Sequence, residues 1–262
     1  MNEEYPWSRY YELARLSKAA YAGPIRHTIY SYEGIPFKEQ KIVHGSFGRG
    51  YCRLFWNDQT LVIAFRGTRE SIDWSISNLK AFPVSLRDCD DAHNIKVHRG
   101  FQRTLDYGDK TTELRSLDAI NEHIEELELL NRSIVVTGHS LGGALAILYA
   151  VKFRAKWREV CEQKLKEVVT FGSPAVGLQE FKNYYGELAN KTIRIINGSD
   201  GVPFTPPLFY CHVGSEVWLH NKGITTNVGW PQRLGQAIKS PFSLSSDHSM
   251  TEYLTRVKAE IK

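Results

Sequence analysis

The pentapeptide Gly138-His139-Ser140-Leu141-Gly142 constrains this chain more than any other stretch, because of what flanks it. Upstream, Ser133-Ile-Val-Val-Thr137 reads as a short buried strand. Downstream, Leu141 to Lys156 is rich in Ala and Leu and opens on small residues, which predicts a helix whose first turn packs closely. A serine in such a strand-to-helix reversal must sit in a tight, strained turn that lifts its Oγ above a sheet. The glycines on either side remove side chains that would collide with the adjoining strand and helix. The alternative is a tight turn that happens to carry serine, and the strand before and helix after argue against it.

Around this point strand and helix patterns alternate. Trp7, Tyr10, Leu13, Leu16 and Ala20 recur at helical spacing until Gly23-Pro24 stops them. Tyr51 to Trp56, a turn at Asn57-Asp58 and Leu61 to Phe65 form a hairpin whose second arm is apolar enough to be central. Residues 102 to 130 hold Leu105, Leu114, Leu117, Ile120, Ile124, Leu127 and Leu130 amid charges, which predicts one long helix, open to a break near Gly108. Val168 to Phe171 and Thr192 to Ile196 are β-rich runs separated by a helical stretch around Phe181 to Leu188, and Met250 to Val257 predicts a further helix. Such alternation implies right-handed crossovers and a largely parallel central sheet, an α/β fold.

At 262 residues, 42% hydrophobic and 24% charged, the chain is no disordered, collagenous or coiled-coil sequence. It is large enough to bury a core without metal or disulfide staples, and it could make one large domain or two small ones. No internal repeat or linker divides it, and the Gly/Pro-rich stretch 197 to 207 reads as a loop within the domain. The net charge of +4 is small for this length, so nucleic acid is not favoured as a partner. The densest basic run, Lys152 to Lys166, is interrupted by Glu159 and Glu162 and reads as a solvated helix face.

No stretch of eighteen or more apolar residues is present, so no transmembrane segment is predicted. The first residues carry acids where a signal peptide needs bases, which leaves a cytoplasmic protein, a trimmed chain, or export by a route that reads no such peptide. Cys52, Cys89, Cys161 and Cys211 are widely spaced, with no C-x-x-C and no paired histidines, so no metal is implied. Free, mostly buried thiols are expected, with two bridges in one of three connectivities as the alternative.

A serine nucleophile needs a base and an acid to orient it, and behind such an elbow the acid follows along the chain and the histidine comes last. Beyond Ser140 the only aspartates are Asp200 and Asp247. Asp247 adjoins His248, and neighbouring side chains diverge. Asp200 follows a strand in a Gly-Ser-Asp-Gly loop, where a sheet presents catalytic groups past its carboxyl ends. Asp200 is therefore the expected acid, with Glu216 a distant second. For the base, His248 in a loop before a helix is preferred over His212, which lies beside strand-like residues, and His220.

These residues sit in motifs that together resemble the fungal-type class 3 lipase family over nearly the whole chain. Val136 to Ala144 resembles the family elbow, Phe65-Arg-Gly-Thr68 its oxyanion segment, and Lys96 to Phe101 the strand-to-helix junction after its lid. Phe171 to Gly177, Asn197 to Pro203 with Pro206-Pro207, and Asp247-His248 ahead of Tyr253 follow in order. The resemblance implies a single α/β-hydrolase domain over residues 1–262 that cleaves lipid esters, of the triacylglycerol lipase type, through an acyl-enzyme and without metal or organic cofactor.

It implies Ser140, Asp200 and His248 as nucleophile, acid and base. Leu141 N–H, next after the nucleophile, is the first oxyanion donor expected. Thr68 is implied as the second, though that residue could equally cap a helix. Glu70 to Phe82 resembles the family's lid, with Ile72, Ile76 and Leu79 on one apolar stripe and Trp74 at its flank. Periodicity alone fits a fixed surface helix as well as a lid. Phe82, Phe204 and Leu208 are candidates for an acyl-binding wall.

Arg66 is expected to pair structurally with a carboxylate, and His98 and His139 to face the core or a backbone partner. The partners expected are a lipid or ester substrate and a transient lipid–water interface. Phospholipase A1 activity is the second reading, and a catalytically silent interaction module with the same fold a distant third.

Overall fold

A computed structural model describes residues 5–22, 28–44, 50–67, 82–106, 114–206, 209–220, 223–228 and 246–261. After helix α1 (Trp7–Ala19) comes a small hairpin, β1 (Ser31–Tyr32) with β2 (Ile35–Pro36), then strands β3 (Glu39–His44), β4 (Gly50–Trp56) and β5 (Thr60–Phe65). A second small hairpin, β6 (Pro83–Ser85) with β7 (Lys96–His98), precedes helices α2 (Arg99–Asp106) and α3 (Ser116–Glu126). The remainder runs β8 (Ser133–His139), α4 (Leu141–Lys156), α5 (Arg158–Lys164), β9 (Leu165–Phe171), α6 (Gln179–Tyr185), β10 (Thr192–Asn197), β11 (Ser215–His220), β12 (Gly223–Thr226) and α7 (Met250–Ala259).

Eight of the strands form one sheet in the order β12-β11-β10-β9-β8-β5-β4-β3. The pairings from β5 through β8, β9 and β10 to β11 are all parallel. The largely parallel sheet that the alternation implies is therefore present. Antiparallel neighbours extend it at both ends, β4 and β3 beyond β5 and β12 beyond β11. The hairpin read over Tyr51 to Phe65 is present as β4 and β5, while helix–strand alternation does not announce β3 or β12, because antiparallel strands need no helix between them. The outermost strands are largely exposed: Glu39, Gln40, Lys41 and His44 on β3, and Thr225 and Thr226 on β12.

The central strands are apolar on both faces because helices cover both. β5 is buried along its whole length. On one face Val136 and Val168 join Ala144, Leu145 and Leu148 of α4, with Phe101, Leu105, Leu117, Ile120 and Ile124 from α2 and α3. On the other, Val135 and Val169 join Leu13 and Leu16 of α1 and Tyr253 and Val257 of α7. Alternate residues of one strand thus feed two different cores. A polar stitch crosses the second: the Thr137 hydroxyl donates to the Val169 carbonyl at 2.7 Å and accepts from Ser17 Oγ at 3.0 Å.

The long helix expected over residues 102 to 130 is two helices, α2 ending at Asp106 and α3 beginning at Ser116. Gly108 and its neighbours 107–113 lie outside the described residues, as do Gly23 and Pro24. The four cysteines are free, with Cys52 and Cys161 buried and Cys89 and Cys211 partly so. Burial pushes the Cys89 thiol up to about 11 and the Cys52 thiol up as well, which makes both poor thiolates.

Lys152 departs from the solvated face read for its basic run. Its side chain is 1% exposed, and Nζ donates to the Arg87 carbonyl at 2.8 Å and to Asp88 Oδ2 at 3.0 Å. α4 lies between the sheet and the outer helices, so a residue on its outer side can still be covered, here by the segment around residue 88. Arg115 also donates to Asp88, at 2.9 Å, and the two cations hold the Asp88 carboxyl below the usual carboxylate range against the opposing effect of burial. Arg158 and Glu162, later in the same run, do form an exposed pair at 3.2 Å.

Removing the acid strands the charge of Lys152, which is fully buried, whereas removing Lys152 leaves Asp88, 32% exposed, still paired with Arg115. Asp88→Asn, which keeps the tolerance for the positive φ of 58° at this position, should lower unfolding free energy by about 2 kcal/mol or more. Lys152→Met should cost less. Urea denaturation of both variants against the parent checks the order.

Candidate active site

Ser140 stands between the last residue of β8 and the first of α4 with φ 59° and ψ −130°. That backbone is unfavourable for a residue with a Cβ and persists only where its surroundings fix it. Three contacts do so. The Ser140 N–H donates to the Phe171 carbonyl on β9 at 2.9 Å, and its carbonyl accepts from Gly143 N–H at 2.9 Å. Gly142 packs so closely on β5 that a Cβ there would lie 2.3 Å from the Phe65 carbonyl oxygen. Leu141 opens α4, so its N–H has no acceptor within the helix and lies at the positive end of the helix dipole.

The loop after β10 carries Asp200. Its Oδ1 accepts from Val202 N–H at 2.9 Å and its Oδ2 from the Tyr253 hydroxyl of α7 at 2.6 Å. His248 precedes α7, and its Nδ1–H donates to the same carboxylate, 2.9 Å from each oxygen. The opposite nitrogen, Nε2, then accepts from the Ser140 hydroxyl at 2.8 Å. Ser140, Asp200 and His248 are 6%, 1% and 6% exposed, so the chain of bonds is largely shielded from water. The Tyr253 hydroxyl also accepts from Asn197 N–H at 3.1 Å; burial and the adjacent Asp200 charge push its pKa well above the ordinary phenol value. It is a fixed donor to the acid.

The other candidates lie elsewhere. Asp247 points away from the imidazole beside it: its carboxylate accepts from Ser199 N–H at 2.7 Å, and its carbonyl from the Asn197 side-chain amide at 2.9 Å. It ties the histidine loop to the acid loop. Glu216 pairs with Arg194 at 3.2 Å inside the sheet, and His212 Nε2 bonds the Pro203 carbonyl at 2.7 Å.

Arg66 Nε donates to the Gly67 carbonyl at 3.1 Å, and His98 Nδ1 accepts from Gly100 N–H at 3.1 Å. His139 meets the His248 carbonyl, as expected of a ring facing a backbone partner. Thr68, Ile72, Trp74, Ile76, Leu79 and Leu208 lie outside the described residues. Phe82, the described end of the lid-like segment, is 58% exposed, and Phe204 is half-buried just beyond Asp200.

Two contributors escaped the sequence reading. Tyr253 entered it only as a motif residue, with no partner assigned. Gly172, likewise inside a quoted motif, has φ 56°, and a Cβ there would stand 2.5 Å from Asp200 Oδ2, 2.9 Å from the Tyr253 hydroxyl and 3.0 Å from His248 Nδ1. Its missing side chain is the space in which acid and base meet. A glycine directly after a buried strand was the available signal.

Residues 62–210, more than half of the chain, match the family described as lipase (class 3). Phospholipase A1-Igamma2, chloroplastic, of Arabidopsis thaliana is 34% identical over 200 residues, covering 62% of this chain and 37% of that protein. A lipase of Rhizomucor miehei is 32% identical over 167 residues, covering 62% of this chain and 42% of its own length. The chain thus spans less than half the length of either relative. Among solved structures, a triacylglycerol lipase whose catalytic centre is described as a serine protease triad superposes with a TM-score of 0.68 at 24% identity, covering 95% of this chain and 94% of its own. That likeness carries the fold, an α/β hydrolase.

Gly172→Ala should push the Asp200 carboxylate away from His248 and leave the rest of the sheet in place. The low-field proton resonance of His248 Nδ1–H should be lost or broadened in the folded variant. An unchanged resonance would mean that the space beside Gly172 is not needed.

Proposed function

Because the chain belongs to the class 3 lipase family, we propose that it hydrolyses the carboxylic esters of lipids, with acylglycerols as the first substrate class. The observation that carries this reading is the bonded series Ser140, His248, Asp200 at the carboxyl end of the sheet, with the serine in the strained turn that an elbow requires. In this reading residues 1–262 act as one domain, since segments from residue 65 to residue 248 all serve one site.

The reaction follows from which atoms can give and take a proton. As Ser140 Oγ attacks the ester carbonyl, His248 Nε2 takes its proton, and Asp200 stabilises the imidazolium while remaining ionised. The carbonyl oxygen becomes negative and meets the Leu141 N–H, with Thr68 as the second donor by family pattern. The tetrahedral species collapses, the ester C–O bond breaks, and His248 returns the proton to the departing alcohol. Water then attacks the acyl-enzyme through the same base, which frees the fatty acid and restores Ser140. Asp200 suits its part because Val202 N–H and the Tyr253 hydroxyl hold its two oxygens in the imidazole plane's reach while the ring turns proton carrier.

Phospholipid is the second substrate class, favoured by the match to a protein named phospholipase A1 and by a net charge of +4 that tolerates an anionic surface. The apolar stripe Ile72, Ile76, Leu79 with Trp74 and the exposed Phe82 supports a lid over the site that opens at a lipid surface.

Ser140→Ala should abolish both ester turnover and labelling by a fluorophosphonate while leaving the protein folded. Retention of near-parental activity would remove Ser140 from the mechanism. For the acid, Asp200→Asn should lower kcat by about 10⁴ because the imidazole loses the partner that fixes its tautomer, whereas Asp247→Asn should cost far less. Collapse of the rate in Asp247→Asn alone would reassign the acid. Rates on triacylglycerols, phospholipids and soluble esters of graded chain length, taken below and above the aggregation limit, separate the substrate classes. A jump at the interface is expected of a lid and a flat response of a fixed helix.

A further inference from the structure

His139 has no part in the proton relay just described, yet it meets His248 through both the ring and the backbone carbonyl. Its ring stacks on that of His248, with centroids 4.6 Å apart and planes inclined by 33°, and meets the Tyr253 ring edge-on at 5.7 Å. Nε2 is 2.7 Å from the His248 carbonyl oxygen, and Nδ1 is 2.8 Å from the Tyr21 hydroxyl just past the end of α1.

The hydrogens along this series can be assigned from chemistry alone. A carbonyl oxygen only accepts, so His139 Nε2 carries a proton and donates it to His248. The neutral ring then has its lone pair at Nδ1, and the Tyr21 hydroxyl must donate to it. The Tyr21 oxygen in turn accepts from the backbone N–H of Gly67, the last described residue before Thr68. Gly67 has room for this only as glycine, since a Cβ would stand 2.2 Å from that oxygen. Every donor along the line points the same way, from the end of the oxyanion strand through α1 and the elbow to the backbone of the base.

We infer that His139 is a positioning residue for His248, held in its Nε2–H tautomer by the Tyr21 hydroxyl and pinning the His248 carbonyl so that the imidazole stays aligned between Asp200 and Ser140. The inference rests on the ester-hydrolase reading of those three residues. His248 lies in a turn outside any regular element, so its ring orientation depends on such ties. In the other tautomer His139 would turn a lone pair toward the carbonyl and push the turn away. Burial and the neighbouring His248 hold His139 well below the ordinary imidazole pKa, which keeps it uncharged. When His248 takes the serine proton, no second cation then stands against its ring.

The test compares Tyr21→Phe, His139→Leu and His139→Gln with the parent on a soluble p-nitrophenyl ester, with the low-field His248 Nδ1–H resonance and a folding check by near-UV circular dichroism. His139→Leu should lower kcat about tenfold or more, and Tyr21→Phe severalfold, with KM within about twofold of the parent, the signature of misalignment of a reacting group. Both should shift the resonance. His139→Gln, which keeps an N–H donor, should recover most of the lost kcat. The positioning role is overturned if folded His139→Leu keeps kcat within about twofold of the parent and leaves the resonance unmoved. Should that variant not fold, Tyr21→Phe, which loses a single oxygen atom, decides by the same two readouts. Failure of both variants to fold would make the series purely structural and overturn the role as well. If instead the parent neither hydrolyses the ester nor labels at Ser140, the ester-hydrolase reading itself falls and takes this inference with it.

Discussion

The turn at Ser140 is the constraint on which the rest of the site depends. A residue with a Cβ is held at φ 59° by one hydrogen bond to β9 and by the contact of α4 on β5, and the second requires that Gly142 carry no Cβ. The turn can exist only after β5, β8 and β9 have paired and α4 has docked. Its strain, of order 1–3 kcal/mol, is small beside the burial that those strands and their two helical layers gain. The sheet is rigid enough to impose the conformation, and the conformation lifts one hydroxyl clear of the strand ends.

The acid presents the opposite problem, a charge taken out of water. Asp200 is 1% exposed, and a buried carboxylate is tolerable only when its lone pairs are met. Val202 N–H, the Tyr253 hydroxyl and His248 Nδ1–H meet them, and they come from the acid's own loop, from α7 and from the turn before α7. Asp247 joins that turn to the acid loop through Ser199 and Asn197. The same bonds that neutralise the cost of burying the charge also orient it, so the proposed relay has little to reorganise if the imidazole becomes positive.

Much of this was readable before any coordinates, for a definite reason. Strand-flanked Ser140, the scarcity of aspartate beyond it and the loop position of His248 are local properties of the sequence. The parallel sheet is nearly local too, because long apolar runs alternating with helical patterns admit few other arrangements. What stayed hidden depends on which distant segments meet. Tyr253 and Gly172 acquire meaning only once α7 crosses the end of β9. Lys152 sits in a run of charges that any local reading sends to solvent, and it is buried because a segment more than sixty residues earlier folds over it. The elbow histidine was expected to face the core or a backbone partner and does meet a backbone carbonyl, but that this carbonyl belongs to His248 is a tertiary fact. The hairpin of β4 with β5 was legible from its turn, whereas β12, at the far rim, lacked the helix between neighbours that gave the parallel strands away.

Those flanking strands bear on how such a chain behaves in a crowd. A parallel strand at the rim of a sheet would offer a long, apolar, unpaired row of amides to any other chain. Here the parallel strands β5, β8, β9, β10 and β11 are all interior to the eight-stranded sheet, and its rim consists of β3, with Glu39 and Lys41 exposed, and the four-residue β12. Charge and brevity at the rim discourage strand addition from a second molecule. Colloidal tolerance is thus built into the ends of the same sheet whose centre holds the serine.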